Sequence, residues 1–214
     1  MFFYRFWASF GRNIISSPDQ GSKAGDLIHD GQNYFLNLGA EIAWSEQGHD
    51  TSTIKPYDMH KSLLSPQSLE MIHRMVYQRY SSYNNIIPLY LGRDLEKLLS
   101  YKRSTVRSPQ GQTLRLFPSI FALELYRQEH SDLGEHTEVL IGSSTIVQKS
   151  KAFRNLSTGA SHTLLCTHSQ MFQNRNNLTH IELMDQHSPY YRSFKDPRYR
   201  VKDVVSKLQA IYLS

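Results

Sequence analysis

The 214-residue sequence has a single cysteine, Cys166. One thiol cannot form an intrachain disulfide, so small disulfide-stabilised secreted folds are excluded and a reducing, cytoplasmic location is expected. No run of about 18 apolar residues occurs, which excludes an ordinary transmembrane segment. Hydrophobic residues are 39% and charged residues 20% of the chain, which is enough for a buried core. The sequence therefore indicates a globular protein and excludes global disorder.

Four catalytic signatures are also missing. The chain has no Gly-x4-Gly-Lys-Ser/Thr, no Gly-x-Gly-x-x-Gly, no His-Glu-x-x-His and no Gly-x-Ser-x-Gly. P-loop nucleotide hydrolases, Rossmann dehydrogenases, zincins and ordinary serine hydrolases are therefore disfavoured. The one cluster of soft ligands, His162, Cys166 and His168, would need His180 or His187 to complete a metal site. Because Cys166 ends an apolar run, we expect a small buried side chain there and no metal.

Basic residues are concentrated in the second half of the chain. Residues 101–214 hold 15 of the 24 Lys and Arg and 9 of the 19 Asp and Glu, a net charge of +6. A basic half beside a nearly neutral one indicates an anionic partner, such as nucleic acid, a nucleotide, coenzyme A or an acidic carrier protein. A solvated basic surface without a partner explains the same charge, and the sequence leaves both interpretations open.

One segment of the basic half, residues 190–202, interleaves aromatic and cationic side chains. Its sequence is Tyr-Tyr-Arg-Ser-Phe-Lys-Asp-Pro-Arg-Tyr-Arg-Val-Lys. This pattern can stack bases and hold phosphates, as in a nucleic-acid-binding module. A surface loop packed by tyrosines has the same composition, and we favour that simpler interpretation.

Local patterns predict interleaved helices and strands. Ser65 and Pro66 favour a helix start, and apolar residues at every third or fourth position continue the helix to Tyr80. Two further helices are predicted, one after Pro118 and one over Val201–Leu213. Short apolar runs predict strands at 86–91, 113–117, 137–141, 162–166 and 180–184.

This order of elements predicts an α/β or α+β fold, in which helices lie on the faces of one sheet. The length favours a single domain over residues 1–214. Whether residues 1–33 form an N-terminal appendage or part of a longer chain stays open. The aromatic segment Met1–Phe10 lacks the basic region and the cleavage site of a signal peptide, so we expect a core helix or an edge segment there.

Five segments, taken in chain order, carry a resemblance to a known family. They are Trp44-Ser45-Glu46-Gln47-Gly48-His49-Asp50, Tyr57-Asp58, the strand Pro88–Leu91, Gly111–Ser119, and Glu138-Val139-Leu140-Ile141. The set resembles the acyl-homoserine lactone synthases, which have an early Trp with acidic residues, a Tyr/Phe-Asp pair, an Arg-Leu-x-Pro-Ser/Thr strand end and a Glu on the next strand. The chain is more similar to the LuxM/AinS branch of these autoinducer synthases than to the LuxI branch.

The resemblance implies a GNAT-like twisted mixed sheet flanked by helices, in a single acyltransferase-like domain. It implies an enzyme that joins an acyl group from acyl-carrier protein or acyl-CoA to S-adenosylmethionine, giving the N-acyl-homoserine lactone of bacterial quorum sensing. S-adenosylmethionine would be a substrate, and no separate cofactor is expected. Two alternatives stay open: a generic GNAT-type N-acyltransferase that uses acyl-CoA, and a basic nucleic-acid-binding module, which the resemblance does not favour.

The resemblance also assigns roles to six residues. Glu138 and Asp58 would be catalytic, because the substrate ammonium must lose a proton before it attacks the thioester. Arg115 would bind the substrate carboxylate or the phosphopantetheine arm. A wall suited to the sulfonium cation would comprise Trp44, Glu46 and Asp50. Each residue also has a structural interpretation, as a core side chain, a solvated or capping carboxylate, or a member of an ion pair.

Overall fold

The computed structural model describes residues 1–6, 13–18, 21–43, 50–60, 63–91, 95, 99, 111–175, 177–195 and 197–213. The chain divides into two compact units, Met1–Asn84 and Asn85–Ser214. The single acyltransferase-like domain over 1–214 stays a prediction, and each unit is described by itself. Within the described residues, no helix has both the length and the apolar character needed to cross a membrane.

The first unit is built on a six-stranded mixed sheet in the order β5-β2-β1-β4-β3-β6. Neighbouring strands are antiparallel except β2 and β5, which are parallel. The strands are β1 (Phe2–Arg5), β2 (Ile14–Ser16), β3 (Leu27–His29), β4 (Tyr34–Gly39), β5 (Asp50–Thr51) and β6 (Asp58–His60).

The N-terminal aromatic segment is neither a core helix nor an edge segment over the residues that the structure describes. Phe2–Arg5 forms β1, which pairs with β2 on one side and with β4 on the other. Phe3 is fully buried in an apolar cluster with side chains of the neighbouring strands, among them Ile15, Ile28 and Phe35. The expectation was wrong because β1 has a neighbouring strand on each side and is therefore an interior strand. A short aromatic run does not show which strands it will pair with.

The helix predicted from Ser65 is confirmed as α1 (Pro66–Tyr77), which ends three residues before the predicted end at Tyr80. Ser65 is its N-cap, and its hydroxyl accepts the Ser68 amide hydrogen at 3.1 Å. Pro66 occupies the first turn, where a missing N–H leaves no intrahelical bond unmade. The buried face of the helix comprises Ser68, Leu69, Met71, Ile72, Met75 and Val76.

His73 connects α1 to the rest of the first unit through both of its ring nitrogens. Nε2 lies 2.9 Å from the Leu38 carbonyl oxygen, and Nδ1 lies 2.7 Å from the Tyr83 hydroxyl. Because a carbonyl can only accept, Nε2 carries the hydrogen and Nδ1 accepts from the hydroxyl. The neutral ring therefore satisfies both contacts, and burial lowers the pKa of His73.

We expect His73 to make the protein less stable as the pH falls below neutrality. The pKa is lower in the folded chain, so the stabilisation is fully present above the unfolded value of about 6.5 and is lost as the pH falls through the folded value. The free energy of unfolding, measured in urea, should fall between pH 7.5 and pH 5.5, and it should fall less in His73→Gln. Burial also lowers the pKa of His168, so the difference between wild type and variant is the informative quantity. An equal fall in both proteins would contradict this assignment.

The strand predicted at 86–91 is wrong, because these residues belong to α2 (Tyr83–Leu91). Ile86, Ile87, Tyr90 and Leu91 are buried, a spacing that places them on one helical face. A short apolar run fits a buried helix as well as a buried strand, and Pro88 is accommodated inside α2.

The second unit contains a four-stranded parallel sheet in the order β10-β7-β9-β8. Its strands are β7 (Gln112–Phe117), β8 (Thr137–Leu140), β9 (Thr163–Thr167) and β10 (Leu178–Leu183), and a separate ribbon pairs β11 (Arg192–Ser193) with β12 (Tyr199–Arg200). The helices that follow the strands are α3 (Ile120–Glu129), α4 (Ile146–Thr158) and α5 (Val201–Tyr212). The other four predicted strands, at 113–117, 137–141, 162–166 and 180–184, are confirmed as β7–β10, with ends shifted by at most two residues.

The predicted α/β class is therefore confirmed, whereas likeness to GNAT enzymes stays a prediction. The expectation of one sheet was wrong, because the strands form a six-stranded mixed sheet, a separate four-stranded parallel sheet and a two-stranded ribbon. On one face of the parallel sheet, Leu123 of α3 packs with Phe117 and Leu165. α4 is tied to the sheet by Gln112, whose side-chain amide donates to the Leu156 carbonyl oxygen at 2.7 Å. Because all four strands are parallel, their carboxyl ends lie on the same side of the sheet, and the segments that follow the strands start there. Open α/β sheets bind their ligands beyond the carboxyl ends of the strands.

Candidate functional site

Glu138 on β8 is held by the second unit's own side chains. Its Oε1 accepts hydrogen bonds from the Asn155 amide at 2.6 Å and from the Ser161 hydroxyl at 2.9 Å. These bonds join β8 to α4 and to the segment before β9. A carboxylate in such a place stabilises the helix–sheet junction, and its role as a catalytic base stays a prediction.

Arg115 on β7 belongs to a polar cluster on the sheet surface. Its guanidinium forms a bidentate ion pair with Glu182 on β10 and donates to the Tyr126 hydroxyl at 2.7 Å. The hydrogen bond that Arg115 donates to Glu182 is the main reason why the pKa of Glu182 lies below its usual range. His180 Nε2 lies 3.1 Å from the same carboxylate. The side chains of Arg115 and Glu182 are 28% and 30% exposed. Arg115 therefore already has a carboxylate partner from its own chain.

The other predicted site residues belong to the first unit. Asp50 is exposed on β5, and Asp58 lies on β6, at opposite ends of the six-stranded sheet. A hydrogen bond joins the Asp58 side chain to the Met59 amide at 2.7 Å. Trp44 and Glu46 lie outside the described residues. Within either unit, the structure therefore does not bring the described residues of the predicted site close to one another.

The cysteine of the soft-ligand cluster is a buried thiol. Cys166 on β9 is fully buried, and burial raises its pKa to about 12. The thiol is therefore uncharged at neutral pH, as the sequence predicted for a small buried side chain. Among the residues that the structure describes, no group of three His, Cys, Asp or Glu side chains is arranged to hold a metal ion.

A concave site of the second unit lies beyond the carboxyl end of β10. It is an open cavity of about 630 Å³. Its walls come from the segment between β10 and α5 and from the first turn of α5. The lining residues are Gln186, His187, Ser188, Pro189, Tyr191, Arg192, Phe194, Arg200, Lys202 and Asp203.

Two buried tyrosines, one in the cavity wall and one on β12, fix this segment to the parallel sheet and to the turn after β9. The Tyr191 hydroxyl donates to the Leu116 carbonyl oxygen at 2.6 Å and also contacts the Met184 carbonyl. The Tyr199 hydroxyl donates to the His168 carbonyl oxygen at 3.1 Å. Burial raises the pKa of both tyrosines, so they stay protonated and keep donating at physiological pH. The ribbon β11–β12 is thereby held at the carboxyl ends of β7, β9 and β10.

The opposite side of the ribbon is cationic. Around β12 the buried Tyr199 lies between the exposed Arg198 and Arg200, as alternation along an extended chain requires. In the first turn of α5, Val201 is buried and Lys202 is exposed. Arg192 and Arg200 are direct partners in the antiparallel register of β11 and β12. We refer to Arg192, Phe194, Arg198, Arg200 and Lys202 as the arginine face. Like charges directly opposite each other destabilise a strand pair, so this arrangement is unfavourable without an anion.

An aromatic ring lies within the same face. Phe194 is 75% exposed, and the Arg192 guanidinium carbon lies 5.8 Å from its ring centroid. Tyr190, immediately before the ribbon, is 68% exposed. The Phe194 ring therefore stands beside a cation, a pairing that favours an exposed aromatic face. Among the described lining residues, Asp203 is the one carboxylate.

The sequence favoured a surface loop packed by tyrosines over residues 190–202, and the structure places the ribbon β11–β12 and the start of α5 within that segment. Tyr191 and Tyr199 do pack against the sheet, while the cations between them point away from it. No protein-family model matches the chain, and no curated protein matches it either. The resemblance to acyl-homoserine lactone synthases therefore stays a prediction.

Proposed function

We propose that this protein binds a phosphate-bearing ligand in the cavity beyond the carboxyl end of β10. The observation that carries the proposal is the cross-strand pair Arg192–Arg200, with Lys202 beside it on the same cavity wall. Two guanidinium groups held opposite each other repel until a group with several anionic oxygens lies between them. A phosphate has that charge and geometry, and the fork of arginine matches it with two parallel hydrogen bonds.

The size and position of the cavity favour a nucleotide-sized ligand. A volume of about 630 Å³ falls within the range typical of small-molecule sites. The carboxyl edge of a parallel sheet is where open α/β folds bind such ligands. The exposed ring of Phe194 offers a flat surface for a base beside the cations. Nucleoside phosphates and coenzyme A both combine these two features.

Calorimetric titration with ADP, coenzyme A, inorganic pyrophosphate and adenosine tests the proposal. We expect ADP, coenzyme A and pyrophosphate to bind and adenosine to bind at least tenfold more weakly, because the phosphates make the charged contacts. Raising NaCl from 50 to 200 mM should weaken the binding of the three anions. Equal binding of ADP and adenosine, or no binding of any anion, would overturn the proposal.

The acyltransferase implied by the resemblance is our second proposal. It is supported by the same cavity, since acyl-CoA carries phosphates and an adenine that suit cations beside an exposed ring. Extracts of a heterologous bacterial host that expresses the chain should then contain, by mass spectrometry, homoserine-lactone fragment ions absent from the empty-vector control. Folded protein without any lactone would exclude the synthase and leave the binding proposal in place.

A further inference from the structure

We infer that the phosphate-bearing ligand is single-stranded nucleic acid, an assignment that rests on the proposed function and names the ligand class of the same site. The first reason is that the charged surface extends beyond the cavity. Arg198 and Lys195 are exposed next to the ribbon strands, although neither lines the cavity. Cations that continue outside the pocket suit a chain of phosphates better than the phosphates of one nucleotide.

The second reason is the spacing of rings and cations. Tyr190 and Phe194 are exposed at positions that flank Arg192, so an aromatic surface lies on each side of a guanidinium along the chain. Single strands bind by stacking successive bases on such rings while basic side chains follow the backbone. A double helix offers its phosphates but covers the faces of its bases. An acidic protein or an anionic membrane would use the cations and leave the rings without a partner.

The third reason is that the protein holds this surface rigidly from beneath. Tyr191 and Tyr199 alternate with the exposed residues, and their hydroxyls are bonded to the sheet and to the segment after β9. The Val201 amide donates to the Tyr191 carbonyl oxygen at 3.1 Å, which closes the base of the ribbon. A backbone that is already held in place loses little conformational freedom when a strand binds. The surface is therefore prepared for a ligand that lies along it.

Fluorescence anisotropy with labelled U10 RNA and dT10 DNA tests the inference, and the two probes distinguish RNA from DNA. We expect at least one oligonucleotide to bind. With three to four phosphates contacted, its affinity should fall about 20- to 50-fold between 50 and 200 mM KCl. A duplex of the same length and poly-L-glutamate should each compete at least tenfold more weakly than unlabelled single strand. Equal competition by either would overturn the inference, because charge alone would then explain the binding.

Three variants separate this inference from the proposed function. Phe194→Ala should weaken oligonucleotide binding about tenfold and pyrophosphate binding by a smaller factor, because pyrophosphate has no base to stack, whereas Arg200→Gln should weaken both to a similar extent. Phe121→Ala is the matched control for the ring, because Phe121 is 78% exposed on α3 and lies outside the arginine face. If ADP and pyrophosphate bind but neither oligonucleotide does, the nucleic-acid inference fails and the proposed function stands. If no phosphate compound binds, both fail.

Discussion

Replacing Arg192 and Arg200 together with glutamine is expected to lower the affinity for ADP about a hundredfold without destabilising the fold. Each exposed guanidinium that contacts a phosphate contributes roughly a tenfold gain in affinity, at the low end of charged hydrogen bonds. Without ligand, the same two groups are direct cross-strand partners of like charge. Their removal should therefore raise the free energy of unfolding by a few tenths of a kcal/mol, a small effect because solvent screens exposed charges.

The two measurements together test whether the arginine pair favours ligand binding while it destabilises the fold. Calorimetry with ADP gives the affinity, and urea unfolding monitored by circular dichroism gives the stability. The matched control is Lys149→Gln with Lys151→Gln, which removes two positive charges from α4, one at a half-buried and one at an exposed position. A similar loss of affinity in that control would show that net charge alone attracts the ligand. A loss of stability in the arginine double variant would show instead that the pair supports the fold.

The parallel sheet could be predicted from the sequence because each of its strands is a short apolar run bounded by turn residues. The same rule failed at 86–91, where the apolar run is helical, because periodicity does not separate buried helices from buried strands over six residues. It also failed at Phe2–Arg5, whose place inside the first sheet depends on β2 and β4. Local patterns thus predicted the strands of the parallel sheet, and they failed where a short apolar run fits both element types or where long-range pairing decides.

The candidate site shows the same division. Interleaved cations and rings in residues 190–202 are visible in the sequence, and they do line the cavity in part. The direct opposition of Arg192 and Arg200 depends on the register of two short strands, which the sequence does not state. The partner of Arg115 is Glu182, 67 residues later, and a partner of Glu138 is Asn155, 17 residues later. Contacts of this range decide whether a charged side chain is available to a ligand, and no local pattern reports them.

Phe117→Ala is expected to be among the most destabilising single substitutions in the second unit, at about 3–5 kcal/mol. Phe117 is 1% exposed, packs with Leu123 and Leu165, and lies 5.2 Å from the Tyr126 ring, centroid to centroid. Phe121 is four residues further along, and the sequence does not show which of the two rings is buried. Because Phe121 is 78% exposed, Phe121→Ala should change the free energy of unfolding by less than about 0.5 kcal/mol.

Urea unfolding of both alanine variants measures this difference directly. If Phe117→Ala does not fold, Phe117→Leu should still be less stable than Phe121→Leu, because only the buried ring leaves a cavity when it is shortened. Equal losses at the two positions would mean that α3 presents a different face to the sheet. That result would also undermine the arrangement of β7 and β10 on which the cavity and its arginine face depend, since the Tyr191 hydroxyl is bonded to the carbonyl of Leu116, the residue next to Phe117.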